Sequence, residues 1–284
     1  MSAGSETGRR YGFVKPGLTR LFMAVDAAGG LLAGRKRDPR PRRAPERILL
    51  VNLAHFGDVL LTTPAAASIR AAFPHAHLAM LVGPWSASVV ANNPRLDEIL
   101  VHAASWWDRD RGSPYLVAGE FRRLIGMLRR GRYDAVVNFK SFAQENLAAA
   151  LARIPHRLGY GIYGGGFLHT TCVAFPWGAH TVEQHATLAA ALGASSADPV
   201  PEIFPSDEDV RIVEEWLAGA PRPLFALHLG AGAPAKMWPV DRFAEFARLA
   251  EDRWRAHTVL VGGGGEEALA ARYRRLAPEP ARDA

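Results

Sequence analysis

The chain has 284 residues, 49% of them hydrophobic, which is enough for two α/β domains with real cores and too apolar for a disordered polymer. Its one cysteine, Cys172, excludes an internal disulfide and a metal site built from thiolates alone, and it suits a reducing compartment. The net charge of +6 lies wholly in residues 1–46, where ten Lys/Arg face four acids; the other 238 residues carry 24 of each sign. The body therefore lacks the basic balance of a nucleic-acid-binding domain.

Residues 1–46 form a basic N-terminal arm. Between its charged clusters runs an apolar stretch from Leu18 to Gly34, interrupted by Arg20 and Asp26. A membrane span needs roughly 20 predominantly apolar residues, so no span is expected. Asp26 also breaks the apolar stretch that a secretory signal would need. Two readings stay open. In one the arm is a helix lying on an anionic membrane surface, with Arg and Lys at the headgroups. In the other it is a basic leader that docks on the body.

After Pro45 the pattern changes. Arg47–Leu53 is a near-continuous apolar run, as expected of a strand buried on both faces. Further strands are expected at His77–Val82, Glu98–Val101 and Tyr133–Phe139. Helices are expected at Leu60–Phe73, Tyr115–Arg130 and Phe142–Arg153. This alternation predicts a parallel, doubly wound sheet. Gly159–Gly178 is rich in glycine and aromatics without a clear period and reads as irregular; a helix follows at Thr181–Leu192. The breaker cluster Gly193–Pro201 marks a linker, so one domain spans 47–200 and the next 201–284. In the second, Ser206 is expected to cap a helix reaching about Ala218. Pro223–Leu229 and Thr258–Val261 are strands, and Val240–Arg255 and Glu266–Leu276 are helices. Two convincing strands in the 79 residues from Ser206 to Ala284 give an expectation that this second domain is incomplete.

Three loops carry candidate chemistry. In Asn52-Leu-Ala-His-Phe-Gly-Asp58, Gly57 and Asp58 fall at the carboxyl end of a parallel strand, the edge where open α/β sheets bind ligands. Asp58 is either a helix cap or a general base; Asn52 and His55 share its loop. In His228-Leu-Gly-Ala-Gly-Ala-Pro-Ala-Lys236-Met-Trp-Pro239, the small residues Gly230, Ala231 and Gly232 let backbone amides approach an anion, and Lys236 adds a mobile charge for a phosphate. The Gly-Lys-Ser/Thr ending of an ATP-hydrolysing loop is absent. In Val261-Gly-Gly-Gly-Gly-Glu266-Glu267, four glycines permit close ligand approach. Glu266 either accepts from ribose hydroxyls or is a first-turn helix acid. The glycine spacing of a dinucleotide fingerprint is not met. Lys140 follows a strand at the same sheet edge as Asp58. His180 opens a helix, as a substrate contact or a cap. Trp106, Trp107, Arg109 and Arg111 cluster in a loop suited to a sugar, a lipid or plain surface. No Ser/His/Asp order and no metal-ligand spacing is present.

Taken together, these loops resemble glycosyltransferase family 9, the ADP-heptose:lipopolysaccharide heptosyltransferases. The matching pieces are Gly57-Asp58 with Thr62-Thr63-Pro64, Tyr133-Asp134, His180, Gly230-Ala-Gly with Lys236-x-Trp238-Pro239, and the glycine run ending in Glu266; they span about 47 to 276. The resemblance implies two Rossmann-like domains of the GT-B type and transfer with inversion, without a metal or other cofactor. It makes Asp58 the base that deprotonates the acceptor hydroxyl. Gly230, Ala231, Gly232 and Lys236 would hold the donor's diphosphate, and Glu266 its nucleoside. His55, Gly57, Lys140 and His180 fall on the acceptor side. The implied partners are a nucleotide-sugar donor, a lipid-linked glycan acceptor such as a lipopolysaccharide core, and, through residues 1–46, the inner face of the inner membrane; nucleic acid is not among them, and the place of work is the cytoplasm. Two departures stand out. The family's later Asp-Ser/Thr-Gly-x-x-His segment is not found before the last residue, and the loop before Asp58 reads Asn-Leu-Ala-His-Phe where many members carry Arg or Ser. The first keeps a non-catalytic binder of nucleotide sugar or acceptor in play; a sugar-nucleotide epimerase is the other alternative.

Overall fold

Successive side chains of a strand point to opposite faces of a sheet. In β1 (Arg47–Asn52) both sets are buried. Ile48 and Leu50 join one core with Ile69 and Leu188, while Leu49 and Val51 join another with Leu124 and Ala148. The structure, a computed structural model, describes residues 24–29, 43–107, 117–195, 198–220, 222–277 and 282–283. It divides into two compact units, residues 1–204 and 205–284.

Unit 1 is a six-stranded sheet built from β1, β2 (His77–Val82), β3 (Glu98–Val101), β4 (Ala135–Asn138), β5 (His156–Tyr160) and β6 (Thr171–Val173). The spatial order is β3-β2-β1-β4-β5-β6, and every pairing is parallel. The chain winds outward in one direction from β1 to β3 and then crosses to β4. The carboxyl ends of β1 and β4 therefore flank the switch point where such sheets bind ligands. Around the sheet lie α1 (Phe56–Leu60), α2 (Thr63–Ala72), α3 (Ala118–Gly131), α4 (Ala143–Leu151) and α5 (Thr181–Leu192). One core packs α2 and α5 on the sheet, the other α3 and α4. Asp134 ties the strand starts together: its Oδ2 accepts from the backbone N–H groups of Glu46 and Arg47, both at 2.9 Å.

The structure differs from the sequence reading in several places. The helix expected over Leu60–Phe73 is two helices. Thr62 Oγ1 donates to the Asp58 carbonyl and Thr63 Oγ1 to that of Leu60, so hydroxyls take over acceptors at the break. Pro64 then sits in the first turn of α2, where its missing N–H costs nothing. The stretch read as irregular contains the end of β5 and all of β6. Gly159 looks like a breaker, yet a Cβ there would lie 2.4 Å from His169 and from Ser141, so close packing demands a glycine inside the strand. Residues past the breaker cluster still pack on unit 1: Arg95 pairs with Glu202 at 2.7 Å, and its guanidinium lies 5.4 Å from the Phe204 ring centre.

Part of the arm docks on the body. Residues 24–29 are helical, the Asp26 carboxylate accepts from the Gly165 N–H at 2.8 Å, and Gly29 lies against the Phe167 ring. The basic clusters of the arm, the expected helix start at Tyr115, and Arg109 and Arg111 lie outside the described residues.

Among its described residues, unit 2 has three parallel strands in the order β7 (Leu224–Leu227), β8 (His257–Leu260) and β9 (Arg282–Asp283). β9, two residues long, carries no pattern by which a sequence could announce it. Ser206 and Asp209 form a reciprocal capping box at the start of α6 (Asp207–Trp216). The core forms where α7 (Val240–Trp254) and α8 (Glu267–Leu276) bring Val240, Ala244 and Tyr273 against Leu227 and Leu260. Among the described residues, no helix is long and apolar enough to cross a membrane.

Candidate active site

The turn after β1 is built around Asn52, which is fully buried. Its Nδ2 donates to the Asp58 carbonyl at 3.0 Å and to Thr62 Oγ1 at 2.8 Å, and its Oδ1 accepts from Ala54 N–H at 3.2 Å. The turn is thereby folded back over the strand end, with Asp58 in the first turn of α1. His55, not Asp58, holds the capping position, and it makes no side-chain cap. The Asp58 carboxylate is instead engaged by Lys140, whose Nζ lies 2.7 Å from Oδ1; the two side chains are 35% and 22% exposed, open enough for a ligand to reach. Gly57 is exposed, and apart from its chain neighbours no atom of the described residues lies within 4 Å of where its Cβ would be.

Lys140 reaches Asp58 through a strained turn. Ser141 has φ +56°, an uncommon conformation for a residue other than glycine. It is held there from both sides: its N–H donates to Asn138 Oδ1 at 2.8 Å, and its Oγ accepts from Tyr160 N–H at 2.7 Å. The next residue, Phe142, stacks on Tyr163 with ring centres 4.6 Å apart and meets Trp107 edge-on at 4.7 Å. His55 lies 6.1 Å from both Trp107 and Trp85. Burial, and after it the charge of Asp58, pushes the Tyr163 phenol up. His180 caps α5, its Nδ1 accepting from Val182 N–H at 3.4 Å and its own N–H donating to Glu183. Below the Asp58 turn, buried His185 places Nδ1 3.0 Å from the Leu61 carbonyl and 3.3 Å from Thr62 Oγ1.

In unit 2, Gly230, Ala231 and Gly232 follow β7, and Lys236 ends the short 3-10 turn Pro234–Lys236, exposed and in no ion pair among the described residues. Glu266 explains two of the glycines. A Cβ on Gly230 would fall 1.7 Å from Glu266 Oε1, and one on Gly262 would fall 2.4 Å from Oε2. The carboxylate thus occupies the space a side chain would take on either loop, 3.8 Å from His228 Nε2. The first-turn acid of α8 is the neighbouring Glu267, which accepts from Gly265 N–H and is held below the usual carboxylate range by it. An open cavity of about 370 Å³ lies over the glycine run, lined by Leu229, Leu260, Glu266 and Arg274 among others. Among the described residues no three His, Cys, Asp or Glu side chains group as a metal site.

Residues 121–282 match the family model described as glycosyltransferase family 9 (heptosyltransferase), more than half of the chain. The chain belongs to that family. The matched residues include Lys140, Gly230–Gly232, Lys236 and Glu266, while Asp58 precedes them. A curated relative, lipopolysaccharide heptosyltransferase 2 of Salmonella typhimurium, is 27% identical over 216 residues, which are 71% of this chain. The alignment spans 59% of that relative's own length. Among solved structures, the family 9 glycosyl transferase of Veillonella parvula superposes with a TM-score of 0.70 at 21% identity, over 87% of this chain and 70% of the other. The Escherichia coli ADP-heptose lipopolysaccharide heptosyltransferase II gives 0.67 at 21% identity, over 84% and 72%. These likenesses establish the fold of the family, a GT-B-type pair of α/β units.

Phe142, Tyr163, Trp85, Glu145, His185 and Arg274 went unnoticed in the sequence, because none belongs to a motif. Trp85, Phe142 and Tyr163 had one clue: like Lys140, each lies just beyond the carboxyl end of a parallel strand, β2, β4 and β5 respectively.

Proposed function

We propose that the chain is an inverting glycosyltransferase that moves a heptose from an ADP-heptose-like donor to a hydroxyl of a lipopolysaccharide-core-like glycan. The observation that carries this is Asp58, partly exposed at the switch point between β1 and β4 and paired to Lys140. A carboxylate there is placed to take the proton of an acceptor hydroxyl as that oxygen attacks the anomeric carbon of the donor. Lys140 keeps the carboxylate oriented until the acceptor arrives. The donor belongs to unit 2. Lys236, with the amides of Gly230–Gly232, would stabilise the negative charge that grows on the departing diphosphate. Glu266, framed by Gly230 and Gly262 beside the open cavity, would accept hydrogen bonds from the ribose. The choice of sugar and nucleotide rests on the names of the relatives, lipopolysaccharide heptosyltransferase 2 and ADP-heptose lipopolysaccharide heptosyltransferase II.

The test is transfer from ADP-heptose to a truncated lipopolysaccharide core, with ADP affinity measured in parallel. Asp58→Asn is expected to slow transfer by about 10²–10⁴-fold, the usual worth of a general base, with ADP binding unchanged. Wild-type rates in that variant would remove Asp58 from the chemistry. A wild-type chain that binds ADP and acceptor without turnover would leave a binding protein as the reading.

A further inference from the structure

We propose that Trp107, Phe142 and Tyr163 form an aromatic seat for the acceptor, taking the C–H face of an uncharged sugar ring, and that Trp107 determines acceptor specificity. This deepens the reading above and rests on it, since it assigns the acceptor to the site of Asp58.

The three rings form a continuous row, edge-on from Trp107 to Phe142 and stacked from Phe142 to Tyr163. Each is partly exposed. The row runs beside the turn that carries the proposed base. Trp107 packs against His55 of the Asp58 turn, Phe142 lies two residues beyond Lys140, which holds Asp58, and the charge of Asp58 acts on Tyr163.

The row is also built at a cost that ordinary core packing does not require. The strained turn at Ser141 aims Lys140 at Asp58 and sets Phe142 between the other two rings. The Trp107 indole N–H donates at 2.8 Å to Glu145 Oε1. Glu145 is buried in the first turn of α4, where Asn138, Trp106 and the Phe142 N–H also act on its carboxyl group. A buried carboxyl group is expensive unless it is hydrogen-bonded. The bond to Trp107 is part of that compensation, and it fixes the plane of the indole ring beside Phe142.

The chemistry of the seat selects its occupant. Aromatic faces carry negative partial charge and attract weakly positive C–H groups, which pyranose rings present on one side. A sugar seated this way keeps its hydroxyls at the rim, where Asp58 and Lys140 lie. A phosphate or carboxylate group fits less well: among the described residues of the seat the cation is Lys140, and Asp58 already engages it. A lipid chain would leave that polar rim without a partner.

The probe is octyl α-D-mannopyranoside, studied on the whole chain by saturation-transfer NMR, with ADP binding measured calorimetrically as a control. Ring C–H protons are expected to receive saturation. Trp107→Ala should weaken binding about two- to tenfold, the range of a lost aromatic contact, and Trp107→Phe, which keeps an aromatic face but loses the N–H held by Glu145, should restore part of it. Glu145→Leu, which keeps the indole but frees its N–H, should weaken binding in the same direction. ADP affinity should not move in any variant. Saturation confined to the octyl chain would make this a lipid groove and overturn the proposal. So would unchanged binding in folded Trp107→Ala, or wild-type protein that binds ADP but not the sugar. If Trp107→Ala does not fold, Phe142→Ala carries the same test. Sugar binding without ADP binding would uphold the seat and count against the donor reading alone.

Discussion

Acidification should loosen unit 1 through one buried side chain, His185. It is 1% exposed, packs its ring on Phe139 at 4.8 Å, and contacts the Leu61 carbonyl through Nδ1. Burial pulls its pKa from 6.5 to about 4; the Leu61 contact opposes this, Lys140 adds to it, and Asp58 opposes it. In the unfolded chain the imidazole takes up a proton as pH falls through 6.5, while in the folded chain it stays neutral down to about 4. The stabilisation from the neutral form is therefore complete above pH 6.5 and is lost as pH falls toward 4. Each pH unit between the two values is worth about 1.4 kcal/mol, so the loss approaches ~3 kcal/mol. Burial lowers the pKa of His102 in the same sense, whereas burial raises that of Glu145, which opposes the trend. The measurement is thus a difference between wild type and His185→Asn, whose amide can still donate to Leu61. Backbone hydrogen exchange at Val137 and Leu188, corrected for intrinsic rates, reports the unit 1 core. Between pH 7.5 and 4, wild-type protection should fall about two orders of magnitude further than that of the variant. Parallel pH profiles would refute the argument, and with it the claim that the floor beneath the Asp58 turn rests on a neutral histidine.

Gly230→Ala should act on ligand binding and not on the fold, because the group in the way is the flexible end of Glu266, 1.7 Å from the new Cβ. ADP affinity is expected to drop roughly tenfold, the scale of one hydrogen bond to a charged group, with thermal stability nearly unchanged. Adding Glu266→Ala should cause no further loss, and additive losses in the double variant would contradict the shared mechanism. We also propose that the basic arm holds the protein at an anionic membrane surface. Replacing Arg35, Lys36, Arg37 and Arg40 with Gln should release the chain from phosphatidylserine-containing vesicles at low salt, at about 1 kcal/mol per charge; unchanged co-sedimentation would dismiss that role.

Local pattern was enough for much of this protein. The apolar runs at β1, β2 and β4 are buried on both faces in the fold, and alternating with helices they already implied a parallel, doubly wound sheet. The loops bearing Asp58, Gly230 and Glu266 stood out because small residues directly after a strand announce a ligand edge. What a window along the chain does not contain is which strand lies beside which. Lys140 meets Asp58 from 82 positions away because β1 and β4 are neighbours, and His185 supports Leu61 from 124 positions away. The same limit hid β5, where the glycine that reads as a breaker is required by two side chains arriving from elsewhere. Backbone preference and hydrophobic period are properties of adjacent residues, so the sequence by itself determined most of the elements, though not β5, β6 or β9, and the sheet edge on which Asp58 lies. The partners of each side chain at that edge depend on strand order and on turns such as Ser141, and those only the tertiary structure decided.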